Sequence, residues 1–302
     1  MEGATISCGS AAAEGDVFAV FGNEYQADKA VSAAKAMRLL AAKGAKIVVE
    51  RPFLRFLVSL GERLPASSEP FDELTEPPFF AISLGGDGTL LKAAAAVGGM
   101  GVPIVGINTG RLGFLADVMP GEVEDAVDSL FTGRYAVQEH SAVRVDAGDS
   151  APRYALNDVA VLKRDNASMI TVRASVDGEP LATYRADGVV LSTPTGSTAY
   201  NLSAGGPIID PGADVIGIAP VAPHSLGLRP IVIGGGHRVE MDVRSRSHNF
   251  LLAVDGRSEK LADGTRIAVE RAPYKVKIAR CSGRGYFSTL RQKLKWGVDG
   301  RE

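Results

Sequence analysis

Asp87 stands inside Gly85-Gly86-Asp87-Gly88-Thr89, where the apolar run FFAISL stops and a helix-like pattern, LLKAAAAV, begins. Glycines around a carboxylate at such a turn permit two kinds of chemistry. Backbone N–H groups can approach phosphate oxygens as an anion nest at the start of a helix, and the carboxylate can orient a hydroxyl and accept its proton. The same residues also read as a plain loop in which Asp87 only caps the next helix. Further polar clusters that neither helix nor sheet formation requires follow along the chain. They are Asn108-Thr109-Gly110-Arg111-Leu112-Gly113-Phe114, Asn157-Asp158, Asp187-Gly188, and Ser192-Thr193-Pro194-Thr195-Gly196-Ser197-Thr198-Ala199-Tyr200, with Gly205-Gly206-Pro207 close behind. Each has an ordinary reading when taken alone: Asn157-Asp158 as a turn, the 192–198 run as a linker or a capped helix start, Phe114 as core.

Several familiar chemistries are excluded by spacing. A G-x-G-x-x-G fingerprint started at Gly86 reaches Gly88 and then fails at Leu91, no Gly-Lys-Ser or Gly-Lys-Thr exists for a Walker A loop, and TGSTA at 195–199 has the wrong order for a G-x-S-x-G elbow. The four histidines, His140, His224, His237 and His248, lack metal-ligand spacing and are expected mostly at the surface or in turns. His224 stands apart, between two prolines and among small residues.

The elements that must position these clusters fall into two halves. DVFAVFG at 16–22, AKIVVE at 45–50, the run into Gly85 and VPIVGINTG at 102–110 are strand-like. Helical spacing in ADKAVSAAKAMRLLAAKG at 27–44, ending in Gly, and the Ala-rich run after Thr89 separate them. This βαβ rhythm implies a parallel sheet covered by helices, with ligands at the carboxyl ends of strands, where both glycine-rich stretches lie. From about 140 onward, β-branched runs separated by turns dominate, and Asp177-Gly178 has the composition of a type I′ hairpin turn. The expected fold is a Rossmann-like parallel α/β domain over 16–135 followed by an antiparallel β-sandwich domain over 136–279. A flexible tail is expected at 1–15, and a short C-terminal helix, within a segment of about 280–297, is expected to pack back on the first domain. The Pro- and Glu-rich stretch 62–78 reads equally as a loop or a lid.

Composition narrows the setting. The 302 residues are 45% apolar and 23% charged, with 33 basic against 35 acidic residues and a net charge of −2, so nothing points to nucleic acid. Two cysteines, Cys8 and Cys281, do not make a disulfide scaffold. The first fifteen residues lack the basic and apolar regions of a secretory signal, and no apolar run approaches a bilayer-spanning length. A soluble cytoplasmic protein without a membrane partner is expected.

Taken together and in order, GGDGT (85–89), NTGRLGFLAD (108–117), ALNDV (155–159), DGVVLSTPTGSTAYNLSAGGPI (187–208) and PHSLGLRPIVI (223–233) resemble the NAD kinase family, over about residues 16 to 297. The first motif is shared with phosphofructokinases and with diacylglycerol and sphingosine kinases; the other four are the narrower signal. The resemblance implies transfer of the ATP γ-phosphate to the 2′-hydroxyl of the adenosine ribose of NAD, giving NADP and ADP. It implies an active site between an α/β and a β-rich domain, and a homodimer or homotetramer. By the same resemblance Asp87 is the catalytic aspartate, and Gly85, Gly86, Gly88 and Thr89 bind phosphate. NAD would be held by Asp87, Gly88, Phe114, Asn157, Asp158, Asp187, Thr195, Thr198, Ala199, Tyr200 and Ser203. Asp158 stands where many members carry Glu, a shorter reach that calls for a bridging water. Mg²⁺ would arrive bridging the donor phosphates, without side-chain ligands of its own. Two alternatives stay open at this point: a lipid or sugar kinase using the same loop, and a non-catalytic dinucleotide sensor.

Overall fold

A computed structural model describes residues 6–25, 27–110, 112–148, 151–164 and 168–296. Residues 1–5 of the expected tail, Arg111 and position 297 lie outside the described residues. The chain divides into two compact units. One holds His140–Lys275; the other is discontinuous, running to Glu139 and resuming at Val276.

The discontinuous unit is built on parallel strands. Val17–Gly22 lies between Lys46–Glu50 on one side and Phe80–Gly85 on the other; Ser68–Phe71 extends the first side and Ile104–Asn108 the second. The chain thus winds outward in both directions from the junction of Val17–Gly22 and Phe80–Gly85. Such a reversal opens a crevice at the carboxyl ends of the two central strands. The strands are apolar on both faces because helices cover both faces. The helix Ala30–Ala42 buries Ala33, Met37 and Leu40 at three- and four-residue spacing and stops at Gly44, whose φ of +84° suits glycine. Phe18, Val20, Ile47, Phe53, Leu57, Phe80, Ile82 and Leu130 complete that core.

Three local features differ from, or resolve, what the sequence suggests. Residues 6–15 of the expected tail are structured: Ile6–Cys8 pairs antiparallel with 136–138, Tyr135 Oη donates to Ser10 O at 2.7 Å, and Ala12 is buried, its N–H bonded to Leu130 O at 2.9 Å. Alanines and glycines give no periodic signal of burial, which is why this stretch reads as a tail. The 62–78 stretch contains an edge strand, Ser68–Phe71, where Pro70 is tolerated because one side of the strand has no neighbour. The C-terminal helix spans Tyr286–Leu294, starting three residues earlier than the TLRQKLKWG pattern suggests, and belongs to this discontinuous unit.

His140–Lys275 is all antiparallel. One of its sheets contains Glu179–Ala186, Ile170–Val176, Val239–Arg244 and the first part of Arg266–Arg280. The other runs Ile231–Gly234, Val215–Val221, Gly188–Ser192, Asp158–Leu162, Asn249–Val254 and Arg257–Ala262. Val172, Tyr184, Met241 and Val243 of the first sheet pack with Val159, Val161, Leu191, Phe250 and Leu252 of the second, the arrangement of a β-sandwich. The hairpin turn falls at Asp177-Gly178, both with positive φ. No helix among the described residues is long and apolar enough to cross a membrane.

Candidate active site

The candidate residues fall into two groups, one in each unit. In the discontinuous unit, Gly85 ends its strand, Gly86 caps the helix Asp87–Val97 with its backbone, and Asp87 is the first helical residue; the capping role considered for Asp87 falls to Gly86. Thr89 and Leu90 donate their N–H groups to Gly86 O at 3.0 and 3.3 Å, which leaves those of Asp87 and Gly88 without an intrahelical acceptor. The three glycines differ in why they are glycine. A Cβ on Gly85 would run into the Thr89 side chain, whereas a Cβ on Gly86 or Gly88 would meet nothing within 4 Å, and neither has a positive φ. Internal packing explains Gly85. At Gly86 and Gly88 no neighbour within the protein fills the space, which leaves room there for a ligand.

Asp87 is not an idle carboxylate. Its Oδ2 accepts the N–H of Phe114 at 2.8 Å, and its Oδ1 accepts those of Leu115 and Ala116 at 3.0 Å each. Gly113 is glycine because Asp87 Oδ1 occupies the space of its Cβ. A carboxylate offers about four acceptor positions, so roughly one is left for a ligand. Asn108, 1% exposed, orders the same loop: its Oδ1 accepts Gly110 N–H at 2.7 Å and its Nδ2 donates to Ala116 O at 3.4 Å. Phe114 is half-buried, with Tyr286 tilted against it at 6.4 Å and Lys293 Nζ 5.1 Å from its ring centre. Arg280, which the sequence alone does not single out, donates to Leu115 O at 2.8 Å, Phe114 O at 3.3 Å and Gln138 Oε1 at 2.9 Å. Burial lowers its guanidinium from the usual value, opposed by the Asp117 and Asp87 carboxylates.

In the β-sandwich unit, Asp158, Asp187 and Tyr200 come together. The Tyr200 hydroxyl is raised by burial and then by the charges of Asp158 and Asp187. Burial, reinforced by the Asp255 charge, pushes Asp158 up to about 7, against a backbone hydrogen bond from Tyr200. Asp187 is ion-paired with Lys163 at 2.7 Å. Asp255, absent from the sequence reading, accepts the N–H groups of Leu156 and Asn157 at 2.8 Å and of Asp158 at 3.2 Å, fixing the start of the Asp158–Leu162 strand. The buried Oδ1 of Asn157 has no hydrogen-bond partner among the described residues. A buried carbonyl of this kind is an acceptor waiting for a donor.

The 192–203 stretch separates into scaffold and surface. Thr193 Oγ1 donates to Leu156 O at 2.6 Å, Ser197 Oγ to Pro194 O at 2.6 Å, and Asn201 Nδ2 to Pro207 O at 3.0 Å; all three are buried. Gly196 lies against the Asn157 backbone, with no room for a Cβ. Thr198, Ala199 and Tyr200 are half-buried and Ser203 is exposed. Thr195 is 7% exposed and contacts His140, whose Nδ1 lies 2.8 Å from Thr195 Oγ1. His140, 3% exposed, is the exception among histidines expected mostly at the surface, since alternation along the strand Ala136–Ala147 turns it inward, whereas His224, His237 and His248 are exposed. His224 is exposed, its N–H bonded to Arg185 O at 2.9 Å.

Comparison with known proteins follows the same division. Residues 19–135 match the model of the ATP-NAD kinase N-terminal domain, and residues 156–281 that of the ATP-NAD kinase C-terminal domain. The NAD kinase of Bacteroides fragilis is 50% identical over 288 residues, covering 94% of this chain and 99% of that protein. That of Porphyromonas gingivalis is 40% identical over 281 residues, covering 93% and 98%. Among solved structures, yeast NADH kinase complexed with NADH superposes with a TM-score of 0.85 at 21% identity over 95% of this chain and 89% of that one. An Archaeoglobus fulgidus NAD kinase in complex with ATP gives 0.70 at 24% identity over 92% and 98%. The two structures share the fold; the relatives share the sequence along almost its whole length. The chain belongs to the ATP-NAD kinase family.

Proposed function

We propose that this chain transfers the γ-phosphate of ATP to the 2′-hydroxyl of the adenosine ribose of NAD, giving NADP and ADP. It is a phosphotransferase by family, and neither a lipid or sugar kinase nor a non-catalytic sensor is supported by relatives named NAD kinase along the full length. The observation that carries the reaction type is the pair Gly86 and Gly88, open toward solvent beside a carboxylate at the crevice between the two central strands.

In this reading the N–H groups of Asp87 and Gly88, at the start of the helix Asp87–Val97, donate to phosphate oxygens of ATP. Asp87 accepts the proton of the 2′-hydroxyl through its remaining acceptor position as the oxygen bonds to the γ-phosphorus. The β,γ-bridging P–O bond then breaks, and ADP leaves with its electron pair. The three backbone N–H bonds hold the carboxylate in one orientation, so that little reorganisation is needed at the moment of transfer. Asn157 Oδ1 is suited to an exocyclic amine such as that of adenine, and Tyr200 offers a ring for its face. Phe114, Asp158, Asp187, Thr195, Thr198, Ala199 and Ser203 complete the proposed NAD contacts. Among the described residues no three His, Cys, Asp or Glu side chains converge as a metal centre. A divalent cation, Mg²⁺ in this proposal, fits this protein as a group carried on the triphosphate; when bound it neutralises phosphate charge.

The test is direct. Purified protein incubated with NAD, ATP and Mg²⁺ is expected to form NADP, followed with an NADP-specific enzymatic readout. Tight NAD binding with no NADP from any phosphate donor would leave only the sensor reading.

A further inference from the structure

Loop 108–116 contains two glycines, and each is shaped around a charged atom. At Gly113 the atom is Asp87 Oδ1; at Gly110 it is Lys29 Nζ, 2.7 Å from where a Cβ would be. The loop therefore threads between a carboxylate and an ammonium, both placed by the crevice at the carboxyl ends of the central strands. Asp87 follows the strand Phe80–Gly85, and Lys29 follows Val17–Gly22, its partner across the topological switch. The loop lies beside the glycine turn itself, since Thr109 N–H reaches Gly85 O at 3.4 Å.

We infer that Lys29 is the side chain that neutralises the phosphates of the nucleotide donor. The inference rests on the phosphoryl-transfer reading and adds a residue that the glycine motif does not contain. Transfer between two anionic groups needs positive charge close to the moving phosphoryl, since the protein otherwise supplies only alignment. Lys29 Nζ lies against Gly110, in the loop that runs past the end of the strand Phe80–Gly85, and an ammonium offers three N–H donors. A lysine on a flexible stem suits a point charge on phosphate.

Lys29→Met and Lys29→Arg in the full chain test this. Binding of ATP and of inorganic tripolyphosphate is measured by calorimetry, with the KM values for ATP and NAD and the unfolding midpoint alongside. Lys29→Met is expected to weaken both polyphosphates at least tenfold and raise the KM for ATP by a similar factor, with the KM for NAD within twofold; Lys29→Arg is expected to restore most of the loss. Unchanged polyphosphate binding, or an equal loss of NAD affinity with a lowered unfolding midpoint, assigns Lys29 to loop packing and overturns the inference. A parent protein that binds tripolyphosphate through Lys29 yet forms no NADP would overturn the kinase reading and leave this one standing.

Discussion

Asp87 holds the 114–116 loop and, in the proposed reaction, takes the hydroxyl proton, and a single substitution separates the two only in part. Asp87→Asn keeps an oxygen for the Leu115 and Ala116 N–H groups, but its amide nitrogen confronts the Phe114 N–H, donor against donor. The expected result is a turnover reduced 10²- to 10⁴-fold, roughly the range of general-base catalysis, with NAD affinity within about tenfold. A loss of about 1–3 kcal/mol in unfolding free energy should accompany it, as for a buried donor left unpaired. Steady-state kinetics and urea unfolding check the two parts; near-full activity would remove Asp87 from the chemistry. Asp158 makes a different prediction. Its ordinary value is 3.8, and burial beside Asp255 pushes it to about 7. An acid raised in the folded state favours folding when protonated, so its contribution is fully present below about pH 4 and is lost as pH rises through 7. The wild type should therefore lose stability relative to Asp158→Asn between pH 4 and 8, at about 1.4 kcal/mol per tenfold change in proton affinity. Urea titrations at several pH values measure this, and parallel curves would contradict it.

For the strand-turn-helix element at 80–97, three glycines that look alike in the sequence are expected to behave differently. Alanine at Gly85 must displace the Thr89 side chain, which is buried and has nowhere to go. The overpacking should cost about 1–3 kcal/mol. Alanine at Gly88 enters open space inside a helix, where Gly→Ala stabilises by roughly 0.5–1 kcal/mol. Gly88→Ala and Gly86→Ala should then fold normally and still lose tenfold or more in kcat/KM for ATP, because in the proposed site the methyl takes the place of a phosphate oxygen. Thermal unfolding combined with ATP kinetics distinguishes the cases; a fully active Gly88→Ala would take the phosphate away from this turn. The motif is legible as a local pattern. Which glycine serves packing and which serves a ligand depends on what lies opposite each one.

At the scale of the whole molecule, the chain completes its first unit with its last described residues. Ile278 and Ala279 pair parallel with Ile104 and Val105, Arg280 holds loop 114–116, and the helix Tyr286–Leu294 lies over Phe114. A chain ended at Lys275 should keep the sandwich core, built wholly within His140–Lys275, and lose order around 104–116. Hydrogen exchange is the measurement. Amides of 104–108 and 114–116 should exchange faster, while those of 158–162 and 188–192 stay protected; unchanged protection at 104–108 would show that the C-terminal segment is dispensable.

Sequence alone determined whatever depends on neighbours within a few residues. The βαβ rhythm, the β-branched second half, the Asp177-Gly178 turn and the glycine loop all follow from side-chain alternation, helical spacing and turn chemistry, which repeat over short distances. The tertiary structure decided what depends on partners far along the chain. Asp255 reaches Leu156 across 99 residues, Arg280 reaches Leu115 across 165, and His140 meets Thr195 across 55. None has a local signature, because an aspartate that will accept three backbone N–H groups looks in sequence like any other turn aspartate. The same holds for Asp87: its type and glycines suggest a phosphate loop in sequence, but only the folded chain shows three of its acceptor positions already taken. Burial and hydrogen-bond geometry are properties of the packed chain, and they decide how much of that carboxylate is left for a substrate.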